Sequence, residues 1–170
     1  MDYIHIHWEG HWSLEEVTSD KTQGNDPDTD YGIYQIYGAH PIYGHDVLLY
    51  IGKASQQTFS TRIGQEKHWW YNQDAGNVKI YLGRLFGITP SDEVWTDQIS
   101  KAEKLLIHSH RPAHNSSNIN SIQPEELENT HVLNYGNHRS LLPEVSSIRL
   151  FDEQYGEDGE DDYYSMTNIK

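Results

Sequence analysis

Two short runs, Gly32-Ile33-Tyr34 and Tyr50-Ile51-Gly52, constrain this chain more than any other feature. Tyr31–Tyr37 alternates, with Tyr31, Ile33, Gln35 and Tyr37 on one face and Gly32, Tyr34 and Ile36 on the other. That is the two-residue period of a strand. Val47–Ile51 is continuous and apolar, as expected of a strand covered on both faces. Between them, Gly38–Asp46 holds Pro41, two glycines and two histidines. The pattern predicts a hairpin with a long loop. Such a hairpin carries one tyrosine and one glycine of each run to corresponding places on adjacent strands.

The flanking pattern extends this unit. Ser55–Tyr71 has helical spacing, Val78–Leu82 alternates as a third strand, and Asp97–His108 is a second helix stopped by Pro112. Strand, strand, helix, strand, helix predicts the α+β class, with a small three-stranded antiparallel or mixed sheet flanked by helices. Residues 1–30 read as an N-terminal extension. Within it, Asp2–Trp8 alternates loosely, and Ser13-Leu14-Glu15-Glu16 has an N-cap with acids in the first turn. Residues 31–118 form the main domain, and 119–151 an elaboration with short β-like runs at His131–Asn137 and Ser140–Phe151. Residues 152–170 read as an acidic, flexible tail.

The net charge of −14 argues against a simple nucleic-acid binder, which usually has a basic footprint. Its distribution alters that conclusion. Residues 1–31 hold eight acids and one lysine, and residues 152–162 hold seven acids and no base. Residues 32–151 carry eleven acids and ten bases, close to neutral. Charge at the ends is screened beyond about 10 Å at 0.1 M salt, so a local basic strip can still grip phosphates. The chain has 12 Tyr and 5 Trp against 3 Phe, so buried rings need partners for their polar edges. Without cysteine, disulfides and thiolate metal sites are excluded. No membrane-spanning run is present, and Met1-Asp2-Tyr3 does not begin a secretory signal; the absence of cysteine fits a cytosolic protein.

After the two runs come Arg62, Glu103 and Asn115. Arg62 falls early in the first expected helix. Glu103 sits four residues after Ile99 and three before Leu106, on the rim of an apolar face, where a carboxylate usually has a partner. Asn115 follows Pro112 at the end of the second helix. Alone, each has a bland reading: a strand ring among twelve tyrosines, a strand-end lysine at Lys53, a surface pair of Arg62 with Glu66, or a solvated helix glutamate.

Together and in this order, these residues resemble the GIY-YIG nuclease family, in the manner of a standalone member, over about half the chain. The stretch Tyr50-Ile51-Gly52-Lys53-Ala54 is also similar to the nuclease domain of bacterial excision-repair endonucleases. The resemblance implies a divalent-metal-dependent endonuclease that hydrolyses DNA phosphodiester bonds. One Mg²⁺ or Mn²⁺ would sit on Glu103, and Arg62 would stabilise the phosphate. Tyr34 and Tyr50 would handle the attacking water, Lys53 would add positive charge, and Asn115 would brace the site. DNA is the implied partner, and a homodimer would place two sites on opposite strands.

Glu66 departs from the family pattern, which commonly has His or Tyr four residues after the arginine. It adds negative charge where a neutral group is usual. An idle binding module on the same fold is therefore the alternative reading. A third reading makes the acidic tail a DNA mimic that covers its own groove. His5 and His7 share a strand face, and His110 and His114 lie near Arg111. Trp69 and Trp70 are candidates for base stacking.

Overall fold

Ser13 shows how local sequence sets an element boundary. Its hydroxyl accepts from the Glu16 amide at 3.2 Å, and its own amide donates to the Glu16 carboxylate at 2.7 Å. This reciprocal box ends the first strand and opens a short helix. The computed structural model describes residues 2–19, 24–66, 77–87, 92–120, 122, 127 and 129–148. Its elements are β1 (Asp2–Trp12), α1 (Leu14–Thr18), β2 (Gly32–His40), β3 (Gly44–Ala54), α2 (Phe59–Gln65), β4 (Lys79–Phe86), α3 (Asp92–His110), β5 (Thr130–Gly136) and β6 (Glu144–Ser146).

The fold is α+β, and the sheet has six strands in the order β3-β2-β4-β1-β5-β6. This corrects the expected three-stranded sheet. The expected trio is present as the neighbouring β3, β2 and β4. The three further strands come from the segments on either side of residues 31–118. β1 lies inside the sheet, antiparallel to β4 and parallel to β5. Its Ile4, Ile6 and Trp8 are fully buried. The alternation identifies a strand, but nothing local identifies the strand beside it.

Alternation along β2 divides the core. Ile33 and Tyr37 join Ile99, Ala102, Leu105 and Leu106 of α3. Tyr34 and Ile36 join Val17 of α1 and Phe59 and Ile63 of α2. The helices thus pack against the two faces of the sheet. Several rings with polar edges find partners, as the composition requires. The Trp8 indole donates to Asn134 at 2.8 Å, and the Tyr37 hydroxyl donates to Gln35 at 3.0 Å.

The hairpin loop is shorter than expected, with only Pro41–Tyr43 in the turn. The helix expected over Ser55–Tyr71 is seen as Phe59–Gln65; His68, Trp69, Trp70 and the acidic tail lie outside the described residues. α3 ends through Arg111, whose φ of 47° is left-handed and whose amide donates to the Ile107 carbonyl at 2.8 Å. Pro112 follows and cannot continue the helix. The chain then runs back along β3, the edge strand that carries the site. Among the described residues, no helix is long and apolar enough to cross a membrane.

Candidate functional site: a carboxylate-centred cluster around the β3 edge

Tyr34 pairs with Gly52 across the hairpin, and Tyr50 pairs with Ile36. Both rings therefore stand on the α1/α2 face, with centroids 6.1 Å apart. Gly52 supplies the room. A Cβ there would strike the Tyr34 hydroxyl and lie 2.7 Å from Cε1 of Tyr50. Gly32 has a second reason to be glycine: its φ is 144°, and a Cβ would collide with the Gly83 carbonyl of β4.

Arg62 lies in α2, and Glu66 one turn on, at the helix C-cap. The Glu66 carboxylate gathers three donors. Tyr34 donates its hydroxyl at 2.6 Å, Tyr50 donates at 3.4 Å, and the Arg62 guanidinium pairs with the same carboxylate. Burial, followed by the Glu66 charge, pushes the Tyr34 hydroxyl far above the ordinary phenol range. The same two causes push Tyr50 up to about 12. Both phenols thus keep their protons at neutral pH. They serve as hydrogen-bond donors, and Glu66 is the acceptor they share. Partial burial works against the Arg62 charge, but Glu66 and the phenol oxygens outweigh it and raise its pKa.

The second half of the site lies on the other face of β3. Lys53 pairs with Glu103 of α3 at 3.0 Å and donates to the Ser100 hydroxyl at 3.2 Å. The Glu103 side chain is only 14% exposed, so it is not a solvated glutamate, though it does pair with a lysine, as its bland reading also supposes. Burial pushes its carboxyl up, Lys53 and Arg62 pull it down, and Glu66 pushes it up again. Glu103 therefore senses both cations and the second carboxylate. The two halves form one electrostatic unit wrapped around the edge strand.

Asn115 holds that edge in place. Its Oδ1 accepts from the Ile51 amide at 3.0 Å, and its Nδ2 donates to the Ile51 carbonyl at 2.8 Å. The side-chain amide thus imitates a strand peptide. Backbone bonds from Ala113 to Leu48 and from His114 to Leu49 continue the pairing. The edge is covered, and Ile51 is fixed between Tyr50 and Gly52. Asn115 is a positioning residue.

All six candidates, Tyr34, Tyr50, Lys53, Arg62, Glu103 and Asn115, are brought to this one region. Two neighbours complete it. Glu66 stands out in the sequence only as a departure, yet it is the centre of the cluster. Ser100 carried no signal beyond its place three residues before Glu103, on the same helical stripe.

Other expectations fall away from the site. The Leu142 amide donates to Nε2 of His110 at 2.8 Å, and Nδ1 of His110 meets the Leu106 carbonyl at 2.8 Å. Nδ1 must therefore carry the proton, and both nitrogens are committed to the fold, leaving none for a phosphate. His5 meets the Tyr135 hydroxyl at 3.2 Å. No basic strip forms from Lys53, Arg62, Lys79, Arg84, Lys101 and Arg139, because each pairs with a carboxylate.

The donor set can be tested against a metal. Among the described residues, no three His, Asp or Glu side chains converge. Mg²⁺ takes one or two carboxylates and keeps several waters, so a single buried carboxylate suits it. Glu103 is such a group, largely buried and already paired with Lys53 at 3.0 Å. No family model, no curated protein and no solved structure matches this chain.

Proposed function

We propose that this protein is a divalent-metal-dependent endonuclease of the GIY-YIG type, hydrolysing DNA phosphodiester bonds. One observation carries the reading. The six positions named from the sequence come from four separate elements and a loop, yet they surround one stretch of β3. A chain under no catalytic demand has no reason to bring them together.

Hydrolysis requires a water to be deprotonated, charge on the phosphorane to be neutralised and the leaving oxygen to be stabilised. Arg62 offers a planar fork for two phosphate oxygens. Lys53 adds a second positive charge on the opposite side of β3. Tyr34 and Tyr50 orient an anion or a water by donating hydrogen bonds. Glu66 is the carboxylate placed to take a proton once Arg62 turns toward a phosphate. Glu103 would hold Mg²⁺ or Mn²⁺, which supplies Lewis-acid stabilisation of the phosphate oxygens when bound.

The test is cleavage of supercoiled plasmid and branched DNA with Mg²⁺ or Mn²⁺, wild type beside Glu103→Ala. Metal-dependent nicking that is lost in the variant supports both the activity and the metal ligand. Equal nicking by both proteins overturns the assignment.

A second reading has its own support. Arg62 and Lys53 are each neutralised within the chain, as expected of a module that binds without cutting. DNA binding by both proteins, with no cleavage in either metal, would favour it.

A further inference from the structure

A cavity of about 480 Å³ opens beside the cluster, between the segment ending at Tyr31, the turn after β3 and the first half of α3. Nothing in the proposed hydrolysis uses it. Its walls combine two chemistries. Tyr31 and Trp95 meet edge to face, with centroids 6.2 Å apart and planes at 74°, forming an aromatic corner. Gln56, Gln57 and Asp28 add polar residues to the rest of the lining. Gln56 has a left-handed φ of 62°, the bend by which the chain leaves β3 and brings Gln57 to the cavity.

The cavity is in register with the site. Thr96 and Ile99 line it, and Ser100 and Glu103 belong to the site. These four residues share one stripe of α3. At 1.5 Å rise per residue, Ile99 lies about 6 Å along the axis from Glu103, and Thr96 about 10 Å. That separation suits a nucleotide with its phosphate at the cluster and its base in the cavity. Flat apolar walls suit a ring, and amides suit the donors and acceptors on its edge. A paired base cannot enter a concave pocket without leaving its stack.

We propose that this cavity receives one unpaired nucleobase next to the phosphate held at the Arg62–Glu103 cluster, so that the protein selects DNA with an unpaired or extruded nucleotide. The choice of ligand rests on the nuclease reading, and the test therefore measures binding without metal. The probes are a branched DNA with a single unpaired 2-aminopurine at the junction and a fully paired duplex of the same length, both in EDTA. The branched probe should bind roughly 10-fold more tightly, with stacking on the aromatic walls quenching its fluorescence. Thr96→Phe, which fills the cavity from α3, should abolish the quenching and the preference. Trp95→Ala should weaken both, and Gln57→Ala provides a wall variant that leaves the aromatic packing intact.

Equal binding of the two probes without quenching overturns the proposal, as does quenching that survives Thr96→Phe. Metal-dependent cutting without quenching keeps the nuclease and removes the base site. Quenching that is sensitive to Thr96→Phe, with no cutting in any metal, keeps the base site and removes the nuclease. No binding of either probe removes both.

Discussion

Tyr34 and Glu66 are 32 residues apart in the chain, yet the phenol donates to the carboxylate at 2.6 Å from a fully buried ring. This bond joins β2 to the end of α2 and gives Glu66 two opposed roles. It satisfies a buried hydroxyl, and it neutralises the guanidinium that a phosphate would need. Changing Glu66 should separate them. Glu66→Gln keeps an acceptor for Tyr34 and removes the charge beside Arg62. Phosphate or duplex DNA should bind up to about 5-fold more tightly, the scale of a partly exposed ion pair. Glu66→Ala leaves the phenol without an acceptor and should cost about 1–3 kcal/mol. Titration calorimetry and urea denaturation measure the two effects; identical stability of the two variants would count against the bond.

Glu103 carries a prediction of opposite sign. Its folded pKa lies above the ordinary carboxylate value because of burial. The folded state therefore favours the protonated form. That contribution to stability is present below about pH 4.5 and is lost as pH rises through the folded pKa. At pH 8 the buried charge is a cost, and Glu103→Gln removes it while keeping an acceptor for Lys53. The variant should melt no lower than wild type at pH 8, while cleavage falls at least about 100-fold. A clear drop in melting temperature at pH 8 would show that the glutamate is there for the fold.

The tyrosines set the alkaline limit. Both folded pKa values are raised, so stability is complete below the unfolded phenol value near 10 and declines as pH rises above it. Tyr34→Phe should cost about 1 kcal/mol at pH 7 and flatten the decline between pH 9 and 11. Denaturation curves across that range decide the matter. A slope unchanged by the substitution would mean that another group causes it.

Gly52 is a steric test of the cluster. Ala at this position drives its methyl group into the Tyr34 hydroxyl. Overpacking of this kind costs about 1–3 kcal/mol, and the displaced phenol should release Glu66. Gly52→Ala should therefore fold, melt lower and lose most nicking activity. Full activity in this variant would show that Tyr34 need not be held where it is.

Binding should depend weakly on salt. Among the described residues, Lys53 and Arg62 are the cations aimed at the site, and two phosphate contacts give a slope of about −2 in log K against log salt. A much steeper slope, from fluorescence anisotropy between 50 and 200 mM salt, would point to a larger basic surface than the described residues contain.

Much of the architecture was legible locally. The strands β2, β3 and β4, the capped helix at Ser13 and the end of α3 before Pro112 follow from short periods and capping residues, which report on neighbours in the chain. The candidate cluster was legible only as a set of residue types in order, and the fold brings Tyr34, Tyr50, Lys53, Arg62, Glu103 and Asn115 to one region. Illegible were the places of β1, β5 and β6 in a common sheet, the committed hydrogen bonds of His110 and the central position of Glu66. β1 has the period of a strand, but its insertion between β4 and β5 depends on which hydrogen-bonding edges remain free after the hairpin forms.

By itself, the sequence determined which segments alternate, which segments carry helical spacing, and which side chains are available for chemistry. Tertiary packing decided their pairing. Gly52 leaves a space that the rings of Tyr34 and Tyr50 fill, and α2 must lie against that face before Glu66 can meet two phenols and Arg62 together. Such convergence depends on burial and on distances across the fold. Both are sums over residues far apart in the chain, and no local pattern encodes them.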